Sequence, residues 1–141
     1  NNRLCGTLYQ LLTSNEKDFI LIKLKLKNFE RISEIIKLNA SIRSFVEKTH
    51  IFIEYNISKD SIIYYEENGV FYIILINKKI EEAKALENKL NSKRDIYNFE
   101  ISFNLAISKF EREKDSIARL INRCNMGLKE AIKKDNNLIV V

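Results

Sequence analysis

Alternate residues of the run Asp18–Lys27 put Lys23, Lys25 and Lys27 on one face of an extended chain. The chemistry such a row offers is phosphate binding by ammonium charge. The plainer use of the same residues is a solvated strand face, since basic residues recur throughout the chain. Lys133-Lys134, near the end of a later helical stretch, offers the same charge but also suits the negative end of a helix dipole without any ligand. Four acids, Glu30, Glu34, Glu66 and Glu67, could gather around a cation or pair with Lys25 and Lys27. Tyr64, Tyr65, Phe71 and Tyr72 form an aromatic-rich stretch that could stack a base or anchor a partner, although alternation sends about half of them inward. Nucleophilic chemistry has little to work with. His50 is the only histidine, so a Cys–His or Ser–His pair lacks material. Cys5 and Cys124 lie far apart, Cys124 falls on the apolar stripe of a helix, and one His with two Cys supplies no metal spacing.

A small set of elements must position these residues. Leu4–Leu12 predicts a short first helix. Asp18–Lys27 predicts a strand, with Ile20, Ile22, Leu24 and Leu26 opposite the lysines. Asn28 is placed to cap a helix whose stripe is Phe29, Ile32, Ile35 and Ile36. Lys37–Ala40 breaks it, and Ser41 is placed to cap a second helix with Ile42, Phe45, Val46, Thr49 and Ile53 inward. Ile51–Ile57 also reads as a strand. Ser61–Glu66 and Phe71–Ile76 flank Asn68-Gly69, the pair that a type I′ hairpin turn prefers because both central residues need positive φ. Lys79–Leu90 reads as a helix with Ile80, Ala83, Leu86 and Leu90 on one side, and Asn98–Ser108 as one strand. Asp115 is placed to cap a long helix carrying Ile117, Leu120, Ile121, Cys124, Leu128, Ala131 and Ile132. Leu138–Val141 closes the sheet. The core order β-α-α-β-β-α-β predicts an α+β fold, a mostly antiparallel central sheet with flanking helices on a ferredoxin-like plan.

At 141 residues, 45% hydrophobic and 30% charged, the chain suits one domain over 1–141 with a sizeable core. It opens without Met or a signal pattern and closes on a strand, which reads as a domain cut from a longer protein. No apolar run approaches the ~20 residues of a membrane span. A net charge of +5 and pI near 9.1 admit nucleotides, nucleic acid or anionic lipid. Over-use of Ile, Lys and Asn suggests AT-rich coding, which accounts for the lysines without function.

In order and spacing these features resemble a GGDEF (diguanylate cyclase) domain. Glu67-Asn68-Gly69-Val70-Phe71 sits at the hairpin tip where that family carries its Gly-Gly-acid-acid-Phe loop. Asn2-Arg3 before a short helix resembles the family's Asn-Arg opening. Leu24–Glu34 resembles its Asp-x-Asp-x-Phe-Lys-x-x-Asn-Asp segment, with the phenylalanine at Phe29. Ile101–Ala106 resembles a later Ser-x-Gly strand, and Cys124–Ala131 the Ala-Asp-x-Ala-Leu-Tyr-x-Ala helix.

The departures all strike chemistry. The resemblance implies that two acids, one ending the first strand and one in the hairpin, would hold divalent metal on GTP phosphates through hard oxygen ligands. Lys25 and Gly69 stand at the matching positions, and Val70 matches the second hairpin acid. Glu30 replaces a lysine and would repel phosphate. Ser33 replaces a guanine-reading asparagine, whose partner acid falls near Ile42. Glu67 and Asn68 replace the paired glycines. Lys59-Asp60-Ser61-Ile62-Ile63 lacks the Arg-x-x-Asp of the family's product-inhibition site.

The resemblance therefore implies a degenerate, non-cyclase GGDEF-like domain with no catalytic residues, metal or cofactor. It implies a regulatory role in a bacterial signalling protein, by dimerisation or by contact with other domains of the parent protein or a signalling partner, tied to cyclic-di-GMP pathways. The expected location is cytoplasmic, as a free protein or the cytoplasmic part of a membrane-associated one. A second reading is a nucleotide-sensing pseudo-enzyme. There Lys25 and Lys27, with Lys133, replace metal beside GTP, ATP or a cyclic dinucleotide. A third is RNA binding, which requires exposed aromatics on an open sheet face and lacks any RNP-type motif. Nucleic acid and membrane are not expected partners of this chain.

Overall fold

The computed structural model describes residues 2–14, 17–37 and 41–141. Its elements are α1 (Asn2–Thr13), β1 (Phe19–Leu26), α2 (Phe29–Ile36), α3 (Ile42–Tyr55), β2 (Ile62–Tyr65), β3 (Val70–Ile76), α4 (Ile80–Leu90), β4 (Arg94–Ile96), β5 (Phe99–Ile101), β6 (Phe103–Lys109), α5 (Ile117–Lys134) and β7 (Leu138–Val140). Five strands form one sheet in the order β2-β3-β1-β6-β7. Every pairing is antiparallel except β6 with β7. That parallel pair is joined through α5, the long crossover that parallel strands require. The fold is thus α+β with a mostly antiparallel central sheet.

Strand alternation divides the core in two. Ile20, Ile22, Leu24 and Leu26 face α2, α3 and α4 and pack with Phe45, Ile53, Phe71 and Leu86. Phe19 and Leu21 face α1 and α5 and pack with Leu4, Leu8, Leu120 and Cys124. Both faces are covered, so the open aromatic face that RNA binding requires is absent among the described residues; Phe71 and Tyr72 are buried. Gly127 lets α5 approach the sheet, because a Cβ there would lie 3.1 Å from Ala106 Cβ and 3.0 Å from Val141 Cγ1. The last carbonyls of α1 have no helical partner. The Arg112 guanidinium supplies one, donating to Leu11 O, Leu12 O and Ser14 O at 3.3, 3.2 and 2.8 Å.

Several expectations change in detail. Ile51–Tyr55 belongs to α3, so the strand alternative there falls. The stretch Asn98–Ser108 is two strands. Ser102 separates β5, which pairs with β4 in its own hairpin, from β6 in the main sheet. Ile35 and Ile132 are exposed rather than inward. Asn28 precedes α2 but at φ 58 and without a side-chain cap bond, whereas Ser41 caps α3 by accepting from Ser44 N. The cap of α5 is Ser116, which accepts from Arg119 N at 3.1 Å; Asp115 does something else. Of the helix break at Lys37–Ala40, residues 38–40 lie outside the described residues. No described helix is long and apolar enough to cross a membrane.

Candidate functional site

The hairpin between β2 and β3 brings the loop Glu67–Phe71 to the end of β1. Asn68 and Gly69 have φ of 53 and 77, both positive as the Asn-Gly pair foretold, and Val70 N donates to Glu67 O at 3.0 Å to close the turn. Gly69 is held from two sides. Its N–H donates to the Tyr65 hydroxyl at 3.0 Å, and its carbonyl accepts from Leu26 N at 2.9 Å. The Phe29 ring covers its Cα so closely that an added Cβ would sit 2.7 Å from Phe29 Cγ. Phe71 is fully buried with its ring 4.8 Å from that of Tyr65, so it anchors the hairpin in the core. Glu67 and Asn68 are exposed at the tip.

Lys25 lies opposite Val70 on one side and Asn104 on the other, which places it at the base of the loop. Its Nζ donates to Glu30 Oε1 at 2.6 Å, and this bond holds the Glu30 carboxyl below the usual carboxylate range. Lys27 donates to Asn137 Oδ1 and pairs with Asp135 at 3.3 Å. Both lysines line a cleft of about 380 Å³ with Asn28, Glu30, Asn104 and Asp135. Lys133 is exposed nearby on α5 but does not line it. Of the four acids expected to gather, only Glu30 pairs with a lysine of this row. Burial, and after it the Glu66 carboxylate, raise the pKa of the Tyr72 hydroxyl.

Lys23 differs from its two neighbours. Its Nζ lies over the Tyr72 ring, 5.3 Å from the centroid, and donates to Asn125 Oδ1 at 2.7 Å beneath α5. Burial lowers its pKa. Cys124 beside it is a core residue whose thiol burial pushes up to about 12, so it is no nucleophile.

A divalent cation does not fit these residues. Magnesium needs oxygen ligands, and Lys25, Gly69 and Val70 supply an ammonium and no side-chain oxygen. The Glu30 carboxylate is already engaged by Lys25. Among the described residues no group of three His, Cys, Asp or Glu is placed to hold a metal. Two of the contacts that organise the site, Phe29 on Gly69 and α5's end on Lys27, join residues far apart in sequence, whereas Tyr65 on Gly69 N is local to the hairpin. Residue types and spacing carry no signal for the distant two.

No protein-family model and no curated protein matches the sequence. Solved structures do match in three dimensions. The active GGEEF domain of a diguanylate cyclase from Vibrio cholerae superposes with a TM-score of 0.74 at 16% identity, covering 94% of this chain and 88% of that one. A diguanylate cyclase/phosphodiesterase from Caldicellulosiruptor saccharolyticus gives 0.78 at 16% identity, covering 99% and 87%. Diguanylate cyclase SiaD from Pseudomonas aeruginosa, solved with its activator SiaC, gives 0.77 at 9% identity; the match covers 96% of this chain but only 57% of SiaD. At these identities the likeness is one of architecture, and the architecture is that of a GGDEF domain.

Proposed function

We propose that this chain is a non-catalytic GGDEF-fold domain that regulates a bacterial cyclic-di-GMP signalling protein through protein contacts. One observation carries the reading. Where a cyclase of this fold would hold metal-bound triphosphate, this chain has a Lys25–Glu30 ion pair and a glycine sealed under Phe29. The first removes the ligand charge, and the second leaves no room for a ligand side chain. The SiaD–SiaC complex supports contact with a protein as a way for this fold to be regulated.

The second reading, a nucleotide sensor, draws support from the cleft with Lys25, Lys27 and Asn104 along its wall. Glu30 and Asp135 weigh against it, since each neutralises a lysine that phosphate would need. One titration separates the two. The purified chain is mixed with GTP, ATP and cyclic-di-GMP, with and without magnesium, while heat and product are both followed. The expected result is neither heat nor product. Micromolar binding that Lys25→Glu abolishes would establish the sensor, and formation of cyclic-di-GMP would overturn the non-catalytic reading.

A further inference from the structure

Helix α3 buries Phe45, Thr49, Phe52 and Ile53, yet it carries two more large apolar residues on its outer side. Ile51 is 63% exposed and Tyr55 88%, one turn apart on the same ridge. Beside this ridge runs a groove of about 670 Å³. Its floor is Phe52 and Ile96, and its far wall is the β4–β5 hairpin. The wall is pinned: the Tyr97 and Ser44 hydroxyls share a hydrogen bond of 2.6 Å across to α3. Tyr97 holds φ 51, a left-handed conformation unusual for a bulky residue. On the other side of the ridge lies a shallower cleft of about 650 Å³ with Ile42, Val46 and Tyr65, and Ile51 lines both.

The rim of the first groove is cationic. Lys48, Lys89 and Arg94 surround it against a single acid, Asp95. Lys48 lies over the Tyr97 ring and Arg94 over the Phe52 ring, at 5.7 and 5.3 Å from the centroids. Among the described residues none of the three has a carboxylate within 4.0 Å, whereas Lys25 and Lys27 at the signature loop are both paired. The α3 groove therefore offers three cations without carboxylate partners around an apolar floor, which the cleft at the loop does not.

We infer that this face docks an acidic amphipathic helix of a partner protein. Its apolar stripe would lie on Ile51, Tyr55 and Phe52, and its carboxylates would meet Lys48, Lys89 and Arg94. A second copy of the chain fits poorly, because a two-fold contact through this groove sets the three cations of one copy against the same three of the other. The inference rests on the reading that the domain works by protein contact, and it adds the surface and the partner's chemistry.

The test uses ¹⁵N-labelled chain and two helical peptides of one length and pattern, one Leu/Glu and one Leu/Lys. The Leu/Glu peptide should shift amides of residues 48–56 and 92–97 saturably, and the Leu/Lys peptide should not. Ile51→Ala with Tyr55→Ala, both exposed and so harmless to folding, should weaken binding by at least about tenfold. Lys48→Glu with Arg94→Glu should switch the preference to the Leu/Lys peptide. Lys133→Glu with Lys134→Glu, the same charge change elsewhere, should leave it alone. Shifts centred on another surface, equal loss in the Lys133/Lys134 variant, or concentration-dependent shifts of the same amides without peptide would each overturn the inference. The last would assign the face to a second copy. Silence from both peptides, with no cyclase product, would remove the docking groove and leave the regulatory reading standing. Product formation would sink that reading whatever the peptides do.

Discussion

Gly69→Asp should unfold the signature hairpin sooner than it restores a metal ligand. The position combines φ +77 with a ring against its Cα. An L side chain in that backbone region costs roughly 1–2 kcal/mol, and forcing a Cβ into a filled space costs about 1–3 kcal/mol more. Phe29 cannot swing away cheaply, because it is 6% exposed at the first turn of α2 and packed into the core. Nor can the turn shift, since Tyr65 and Leu26 hold Gly69 from both sides. A combined loss of about 3 kcal/mol is a large share of the stability of a domain this size. Urea unfolding of Gly69→Ala and Gly69→Asp should show it in both. In the background of Phe29→Ala, the cost of Gly69→Ala should fall by about 1 kcal/mol or more, the coupling of a double-mutant cycle between touching residues. Unchanged midpoints for the Gly69 variants would mean that Phe29 yields and that the site is open to an acid after all.

That result bears on function as well as stability. If the hairpin rejects an acid at position 69, replacing Lys25 by Asp cannot rebuild the pair of carboxylates that a metal needs. The absence of a carboxylate at position 69 is then built into the packing and is not a single reversible change. The Lys25–Glu30 bond points the same way, since it gives the ammonium at the loop end of β1 an internal partner.

The elements that were legible in the sequence are those set by local periodicity. Ile20, Ile22, Leu24 and Leu26 alternate along β1, Asn68-Gly69 turns the hairpin, and Ser41 caps α3, each from a pattern a few residues long. The misreadings are equally physical. The apolar run Phe99–Ile107 looks continuous, but Ser102 marks where the chain leaves one small hairpin and joins the central sheet. Only the partners β4 and β1 decide that. Ile35 fits the stripe of α2, yet a helix of eight residues buries a narrow face, and Phe29, Ile32 and Ile36 fill it. That Lys25, Gly69 and Val70 carry no carboxylate was visible at once. That Phe29 closes the space beside Gly69 was not, because it depends on a contact forty residues away along the chain. The α3 groove was invisible for the same reason: Ile51 and Tyr55 fall in a stretch that reads as helix or strand, and nothing marks a groove until Arg94, Ile96 and Tyr97 arrive beside them.

Asp115 shows how a sound local rule loses to a distant partner, and it gives the second large expected effect. Its type and place suit a helix cap, but Ser116 takes that role. The Asp115 side chain is instead 2% exposed and grips Arg123 with both oxygens, at 2.8 and 2.6 Å, while also accepting from Glu111 N and Ser116 N. Arg123 reaches on to Ser108 Oγ at 2.9 Å, so the pair ties the end of β6, the loop after it and α5 together. Arg123→Ala removes the cation from a carboxylate that keeps only its two backbone donors, which costs about 2 kcal/mol for hydrogen bonds to a charged group. The pH dependence identifies the cause. The bond to Arg123 holds the Asp115 carboxyl below the ordinary carboxylate range. A lowered folded pKa contributes stability above the unfolded value of about 3.9, and that contribution is lost as pH falls through the lower folded value. The deficit of Arg123→Ala against the parent should therefore be full at pH 6 and shrink on acidification below about pH 4, as the parent loses the same pairing. A deficit that stays constant across that range would trace the loss to Arg123's packing and its bonds to Ser108 and Lys109, and would take the ion pair out of the account of how α5 is fixed to the sheet.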